Sequence, residues 1–200
     1  MIIGVSGGTG AGKTTLVNYL AKILGEDQTL ILSQDRYYKH LPELSFEERC
    51  LINYDHPDAL DLDLLASHVI KLKEGKSIKS PLYSFEKHLG LDEIEILYSK
   101  KHIIIEGILV FANAILSELF DYKVYIDADI NKRIERRMER DISTRGRTKD
   151  EVINRFEKTL HDMHNKFIAP QMRTADVVIL NNDLEFAKDQ IKKWIETAIK

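Results

Sequence analysis

The chain has 200 residues, of which 44% are hydrophobic and 30% charged, and its formal net charge is −3. These values are typical of one globular domain and argue against a dedicated nucleic-acid binder, for which a strongly basic surface is expected. A single cysteine, Cys50, excludes an intramolecular disulfide framework and a cysteine-rich metal site.

The sequence also argues against a membrane protein. No apolar run approaches the roughly 18 residues that a membrane span needs. The N-terminus, "MIIGVSGG", starts with the pattern of a buried strand and has neither a basic region nor a cleavable apolar segment. We therefore expect a cytoplasmic protein that has no membrane partner and no nucleic-acid partner.

Five short apolar segments predict β-strands. They are rich in Ile and Val and lack strict alternation, which is typical of strands covered on both faces and hence of a parallel sheet. The predicted strands are Ile2–Ser6, Thr29–Ser33, His102–Glu106, Lys123–Asp127 and Val177–Leu180.

Helical patterns lie between the strands and complete an α/β, doubly wound architecture. The periodicity predicts helices over residues 14–24, 61–73, 149–168 and 184–199, the first ending at Gly25. Residues 77–99 break this rhythm and read as a β-hairpin. No linker marks a second domain, so we expect one domain over residues 1–200 with the hairpin as an insertion.

The segment "GGTGAGKT" matches the phosphate-binding pattern G-x-x-x-x-G-K-[ST], the P-loop, in full. A predicted strand precedes it and a predicted helix follows, as the motif requires. Glycines let successive backbone N–H groups face one anion, the lysine reaches the β- and γ-phosphates, and the last hydroxyl can bind Mg²⁺. The predicted nucleotide-binding residues are Gly7, Gly8, Thr9, Gly10, Ala11, Gly12, Lys13, Thr14 and Thr15.

A P-loop needs an acidic residue near the metal, and three candidates follow strands. Glu106 ends the most hydrophobic strand, whereas Asp127 and Asp129 follow the next one. We favour Glu106 because of its position at the strand end, and we expect Asp129 to cap the next helix.

Asp35, in "LILSQDRYY", lies just past a predicted strand on the edge of the sheet where ligands bind. A carboxylate there can take the proton of an attacking hydroxyl group, as the acceptor-activating aspartates of kinases do. The alternative is an aspartate that caps the following turn, and the segment by itself does not separate the two.

Residues 132–147, "KRIERRMERDISTRGR", carry seven Lys/Arg and three Asp/Glu. One interpretation is a solvated helix that forms many salt bridges. Another is an RNA-binding patch, but such a patch would need interleaved aromatic residues. We favour a mobile lid over residues 130–147 whose arginines close over phosphates, with Gly146 as its hinge and a packing stripe of Ile130, Ile134 and Met138.

The segment "NYDHPDALDLD", residues 53–63, holds four aspartates, which suggest a metal cluster, helix caps or a grip on a polar substrate. Thr14 and Glu106 already supply a metal site, so a second cluster is not needed. We expect Asp61 to cap the helix that begins at Leu62, and Asp63 to favour its first turn.

Together these motifs resemble the uridine/cytidine kinase family of P-loop nucleoside kinases. The resemblance runs from Gly4 to about Leu180 and rests on "GGTGAGKT", "SQDRYY", "YDHPDALD", "EGILVF" and "RRMERDISTRGR", with "PLYSFEKH" on the substrate side. Phosphoribulokinase shares part of this combination. The resemblance implies a P-loop kinase that uses ATP or GTP with Mg²⁺ to phosphorylate the 5′-hydroxyl of uridine or cytidine, and often a homo-oligomer such as a tetramer.

The resemblance also implies roles for individual residues. Asp35 would be the catalytic base, assisted by Lys13 and Arg140, while Thr14 and Glu106 would hold Mg²⁺. Asp55 would bind the 2′- and 3′-hydroxyls of the nucleoside. The expected contacts of the pyrimidine are Tyr38, Tyr54, Tyr83, Phe85 and His88. The expected lid arginines are Arg137, Arg145 and Arg147 for the nucleotide, with Arg140 and Arg147 also facing the nucleoside.

Two departures from the family pattern leave the preferred base open. Arg155 stands where the family usually has Gln, and His161–Asp162 stands in place of a basic residue and Pro. Arg only donates hydrogen bonds, whereas Gln also accepts them. The alternatives are a kinase of another small alcohol, similar to phosphoribulokinase, and a non-catalytic nucleotide-binding regulatory protein.

Overall fold

Five parallel strands form the central sheet. The computed structural model describes residues 1–145, 148–155 and 161–199. The strands are β1 (Ile2–Gly7), β2 (Thr29–Ser33), β5 (His102–Glu106), β6 (Tyr122–Asp127) and β7 (Val177–Leu180). Their order in the sheet is β2-β5-β1-β6-β7, and their register is parallel throughout, which confirms the predicted α/β fold class.

Helices cover both faces of this sheet, and each face has its own core. Successive residues of β5 alternate between them, because neighbouring side chains of a strand point to opposite faces. Ile103 and Ile105 pack with the first core and Ile104 with the second. The helices are α1 (Lys13–Leu24), α2 (Phe46–Cys50), α3 (Leu62–Lys73), α4 (Ala114–Glu118), α5 (Ile130–Arg145), α6 (Lys149–Arg155), α7 (His161–Met163) and α8 (Leu184–Ala198).

Several helix ends follow the predicted capping signals. Gly25 ends α1 with a φ of 92°, and the Asp61 carboxylate accepts a hydrogen bond from the Leu64 N–H at the start of α3. Asp129 accepts one from the Asn131 N–H at the start of α5. The short α2 was not predicted, although Ser45 and Glu48 form a capping box before it.

The predicted hairpin is a separate two-stranded sheet. Strand β3 (Ile78–Ser84) pairs antiparallel with β4 (Leu89–Leu97). Its tip turns at His88, whose φ of 49° is in the left-handed region. The hairpin lies beside the segment that follows β2. One contact there joins the His40 ring and the Gly90 carbonyl, 2.8 Å apart.

The predicted helix over residues 149–168 is helical wherever the structure describes it, but its last part is not α-helical. Helix α6 covers Lys149–Arg155, α7 covers His161–Met163, and a π-helical turn follows over His164–Ile168. A 3₁₀ helix over Ala169–Thr174 follows, and Pro170 lies in its first turn, where the missing N–H of proline costs nothing. Residues 156–160 lie outside the described part of the chain.

The predicted packing stripe of α5 is also wrong. Ile130 is 36% exposed, and Ile134 and Met138 line an open groove on the outer side of the helix. The buried side instead carries Arg133, Arg137 and Asp141, spaced four residues apart, with exposures of 4%, 6% and 0%. Charged groups can occupy this side because they are paired with one another and with the P-loop.

One buried side chain ties three segments together near the carboxyl edge of the sheet. The Gln171 carbonyl oxygen accepts hydrogen bonds from the Ser6 hydroxyl and the Phe111 N–H, each 2.9 Å long. Its amide group donates to the carbonyls of Ile108, at 2.7 Å, and Phe167, at 2.9 Å.

Within the described residues, no helix combines the length and apolarity that crossing a bilayer requires.

We predict that Gln171→Leu lowers the free energy of unfolding by roughly 2–4 kcal/mol, because it leaves several buried polar groups without partners. Chemical denaturation monitored by circular dichroism measures this difference. Gln28→Leu, at an exposed position, is the matched control and should change stability by about 0.5 kcal/mol or less. Equal effects of the two substitutions would contradict the role of Gln171.

Candidate active site

The P-loop joins β1 to α1 and surrounds a buried lysine. Lys13 is 9% exposed, and its ammonium group donates to the carbonyls of Gly7, at 3.0 Å, and Gly8, at 3.1 Å. Burial lowers the pKa of Lys13 to about 8, while the carboxylates of Glu106 and Asp35 act in the opposite direction. The loop therefore holds a cation at the amino end of α1. The lysine and the helix end both favour the binding of an anion there.

Helix α5 lies directly against the P-loop, which explains two of its glycines. Gly10 has a φ of 75°, and a Cβ atom there would be 2.2 Å from the backbone oxygen of Arg133. A Cβ atom on Gly8 would be 2.5 Å from Cζ of Arg133. The Arg133 Nε in turn donates to the Thr9 carbonyl at 3.2 Å. The loop and the helix thus fix each other's position.

The ends of β2 and β5 bring two carboxylates next to Lys13. Ser33 pairs with Glu106 in the sheet register, and its hydroxyl donates to the Glu106 carboxylate at 2.9 Å. The same hydroxyl accepts from the Asp35 N–H. Burial raises the pKa of Glu106, and the nearby Asp35 carboxylate raises it further, while Lys13 opposes both.

One cleft of about 700 Å³ connects the P-loop to the hairpin. It brings together most of the residues that the sequence singled out, although they come from distant parts of the chain. Asp127 and Asp129 are not among its lining residues. The cleft is lined by Thr9, Lys13, Thr14, Asp35, Tyr38, Tyr54, Asp55, Tyr83, Phe85, His88, Glu106, Gly107, Ile108, Arg137 and Arg140.

Aromatic rings form the wall of this cleft opposite the P-loop. The ring centroid of Tyr38 is 5.3 Å from that of Tyr54 and 5.0 Å from that of Tyr83. Tyr83 also contacts Phe85, at 5.4 Å, and Tyr54 stacks on His88, at 5.1 Å with an angle of 23° between the rings. Flat apolar faces combined with polar ring atoms are suited to a heteroaromatic ligand.

Between the aromatic wall and the P-loop lie Asp55 and Arg137. Asp55 is 9% exposed, and its carboxylate is 3.8 Å from the Arg137 guanidinium. Burial raises the pKa of Asp55, and the charge of Arg137 opposes this rise. Arg137 also donates to the Thr9 hydroxyl at 3.0 Å, so it touches both halves of the cleft.

Arg140 lines this cleft and also a second one beside the P-loop. Its Nε and Nη2 atoms donate to the same Asp141 oxygen, at 3.0 and 2.9 Å. The side chain of Arg145 and all of Arg147, both predicted to bind phosphate, lie outside the described residues, as does the side chain of Arg155.

The second cleft contains Thr15 and residues of the loop after β7. The Asn181 amide group donates to the Ala11 carbonyl at 2.7 Å, and its backbone carbonyl accepts from Arg136 at 3.0 Å. The cleft is lined by Gly10, Gly12, Lys13, Thr14, Thr15, Arg136, Arg140, Asn181 and Leu184. This second cleft contains P-loop residues but none of the aromatic wall, so the P-loop borders both clefts.

A magnesium ion fits the oxygen atoms that line the first cleft. Thr14 offers a hydroxyl and Glu106 a carboxylate, and Mg²⁺ in phosphate-binding sites usually takes one or two protein ligands. Across residues 1–145, 148–155 and 161–199, no group of three or more His, Cys, Asp or Glu side chains could hold a metal by itself. The donor set therefore fits a metal that arrives with a phosphate.

Sequence reasoning missed four residues of the site. Arg133 and Asp141 were assigned to a charge run, and nothing in that run shows which members are buried. Ser33 gives no signal before the sheet register places it beside Glu106. His164 lies far along the chain, and Arg133 contacts both of its ring nitrogens, at 3.0 and 3.2 Å.

Comparisons with known proteins identify a family and a fold. The family model described as "Phosphoribulokinase / Uridine kinase family" matches residues 2–184. A uridine kinase from Clostridium perfringens is 42% identical over 179 residues, which cover 90% of this chain and 86% of that protein. A uridine kinase from Halalkalibacterium halodurans is 45% identical over 179 residues, with 90% and 85% covered. The structure of phosphoribulokinase from Rhodobacter spheroides aligns with a TM-score of 0.63 at 16% identity, over 90% of this chain and 69% of that one, a likeness that shows the fold alone.

We predict that His164 makes stability depend on pH. Burial lowers the pKa of His164 from 6.5 to about 4, and Arg133 acts in the same direction. As the pH falls, the unfolded chain therefore binds a proton at His164 before the folded protein does. The contribution of neutral His164 to the free energy of unfolding is complete above pH 6.5 and is lost as the pH falls towards 4. In His164→Phe, the loss of unfolding free energy on lowering the pH from about 7 to about 4.5 should be smaller by about 1–2 kcal/mol, a figure reduced for the partial exposure of the ring.

Urea denaturation of both proteins at the two pH values measures this difference. The wild type and His164→Phe share their other titrating groups, so the comparison isolates the histidine. Identical losses in the two proteins would contradict the assignment.

Proposed function

This chain belongs to the phosphoribulokinase/uridine kinase family, and we propose that it transfers the γ-phosphoryl group of ATP or GTP to the 5′-hydroxyl of uridine or cytidine. The observation that carries the proposal is the cleft in which an aromatic wall and two buried carboxylates face a P-loop. One half of such a cleft suits a ribonucleoside and the other a triphosphate.

The P-loop half binds and orients the triphosphate. Backbone N–H groups of Gly7–Thr15 surround the phosphates, and Lys13 neutralises the charge that develops between the β- and γ-phosphates. Arg137 and Arg140 face the same space, and Arg145 and Arg147 complete the predicted phosphate contacts. A magnesium ion, held by Thr14 and Glu106, would neutralise further charge on the phosphates.

Asp35 acts as the general base in this proposal. It lies in the cleft with Lys13 and Glu106, at the carboxyl end of β2, between the P-loop and the aromatic wall. From there its carboxylate can accept the proton of the 5′-hydroxyl as that oxygen attacks the γ-phosphorus. The Asp35 N–H donates a hydrogen bond to the Ser33 hydroxyl, which holds this turn in place.

The nucleoside half recognises ribose and base separately. Asp55 accepts hydrogen bonds from the 2′- and 3′-hydroxyls, and a deoxyribose would leave part of that acceptor capacity unused. The rings of Tyr38, Tyr54, Tyr83 and Phe85 pack against the pyrimidine. His88 can donate to the 4-carbonyl of uracil or accept from the 4-amino group of cytosine, according to its tautomer.

The aromatic wall favours this acceptor over a sugar phosphate. A phosphorylated pentose would need additional cations in the acceptor half, where the described cations are Arg137 and Arg140. Both lie within 4 Å of carboxylates, namely Asp55 and Asp141. A purely regulatory nucleotide-binding protein would require neither Asp35 nor Asp55 beside the phosphates.

The finer biology of the enzyme is also part of the proposal. We expect a single catalytic domain over residues 1–200, a homo-oligomer, and a cytoplasmic enzyme of pyrimidine salvage. The resemblance to the uridine/cytidine kinases supports the assembly and the tetramer as its form. Sedimentation equilibrium of the purified protein measures this state directly.

The test of the function is ADP release in a coupled assay across nucleosides, sugars and pentose phosphates. Uridine and cytidine should support turnover, deoxyribonucleosides should have at least about tenfold lower kcat/KM because Asp55 loses a partner, and ribulose 5-phosphate should be inactive. If none of the nucleosides supports turnover, the proposal is overturned. If the pentose phosphate alone supports turnover, the protein is instead a sugar-phosphate kinase.

We predict that Asp35→Asn lowers kcat by a factor of about 10² to 10⁴, which is the usual contribution of general-base catalysis. The affinity for ATP, measured by calorimetry, should stay within about twofold, because the P-loop contacts are retained. Asp58→Asn provides the control, since it makes the same charge change at a side chain that is 89% exposed. A kcat of Asp35→Asn equal to that of this control would rule out Asp35 as the base.

A further inference from the structure

Two arginines of the cleft share one fully buried carboxylate. Asp141 has an exposure of 0%. One of its oxygens accepts two hydrogen bonds from Arg140, at 2.9 and 3.0 Å. The other oxygen lies 3.4 Å from Nε of Arg137. Asp141 is not a lining residue of the cleft, but it can affect a ligand through the two arginines that it holds.

Arg137 therefore stands between two buried carboxylates. Its Nε edge faces Asp141, while Nη1 donates to the Thr9 hydroxyl at 3.0 Å and lies 3.8 Å from Asp55. The distance of 3.8 Å is about 1 Å longer than a charge-assisted hydrogen bond, for which 2.7–2.9 Å is typical. Asp55 is thus close enough to feel the charge of Arg137 without giving up its acceptor positions.

From this geometry we propose that Asp141 is a positioning residue that keeps Asp55 available for the substrate. Because it attracts Arg137 from the opposite edge, Asp141 holds the guanidinium away from a close salt bridge with Asp55. The inference rests on the proposed function, in which Asp55 binds the hydroxyls of the ribose. It assigns nucleoside affinity to a carboxylate that the nucleoside never touches.

Removing the charge of Asp141 should move the Arg137 guanidinium towards Asp55. Arg137 is 6% exposed, so its charge needs a partner within the protein, and Asp55 is the carboxylate on its other side. The guanidinium would close the remaining distance and form charge-assisted hydrogen bonds with Asp55. The nucleoside would then have to displace Arg137 before its hydroxyls could bind. Arg140 has a side chain that is 38% exposed, so it can turn to solvent instead.

The experiment is a double-mutant cycle that follows the KM for uridine. Asp141→Asn keeps the shape of the side chain and removes its charge. We expect the KM to rise about tenfold and the ATP dissociation constant to stay within about twofold, because the P-loop contacts are retained. The value of kcat is followed separately, since Arg140 loses the same carboxylate. In an Arg137→Gln background, Asp141→Asn should leave the KM unchanged within about twofold, because the competing guanidinium is gone. Glu139→Gln makes the same charge change at an exposed position of α5 and should resemble the wild type.

Each outcome decides the inference. An equal rise in KM with and without Arg137, or an unchanged KM in Asp141→Asn, would overturn it and leave the kinase assignment intact. A wild type that phosphorylates no nucleoside would overturn the proposed function and this inference with it. If Asp141→Asn does not fold, Asp141→Ser removes the same charge and takes its place in the cycle, with the same expected and contradicting results.

Discussion

The site depends on the pairing of charges that cannot be buried alone. An ammonium or guanidinium group removed from water is costly unless a carboxylate, a carbonyl or a phosphate replaces the lost hydration. Lys13 meets this requirement with the carbonyls of the P-loop, and Arg133 meets it with the Thr9 carbonyl and the His164 ring. Much of the local architecture follows from it, including the close approach of α5 to glycines that leave room for Arg133. A triphosphate entering this site meets cations that are already fixed in position, which is the basis of electrostatic preorganisation.

The parallel sheet provides the second half of the arrangement. Because all five strands run the same way, the residues that follow them collect on one edge, and the register places Ser33 next to Glu106. The residues proposed to bind the acceptor come from elsewhere, namely the turn that contains Asp55 and the hairpin that carries Tyr83 and His88. These segments and the P-loop meet in one cleft.

Local sequence patterns were sufficient to predict the sheet, the hairpin and the P-loop. Buried parallel strands are continuous apolar runs, and capping residues such as Asp61 act on their nearest neighbours, so both leave their mark within a few residues. The candidates Asp35 and Glu106 were identified from their positions at strand ends, and Asp55 and the aromatic set by motif resemblance. The structure brings them into one cleft, and their individual roles stay predictions. The buried face of α5 could not be found in this way. Hydrophobic periodicity assumes that apolar groups face the core. Here Arg133 does so because Thr9 and His164 contact it from other segments, and Asp141 does so because it pairs with two arginines of its own helix. The π-helical turn at His164–Ile168 likewise reflects packing that no local pattern encodes.

The hairpin of β3 and β4 shares no backbone ladder with the parallel sheet. Its strands can therefore lengthen, shorten or change their inward side chains without shifting the register that aligns the P-loop with Glu106. In the proposed function, a part of the nucleoside-binding surface, namely Tyr83, Phe85 and His88, is thus carried by a unit separate from the sheet that carries the P-loop. In such an arrangement a lineage can diversify the molecules that it phosphorylates while its reaction stays the same, and an engineer can exchange residues 77–99 as a cassette.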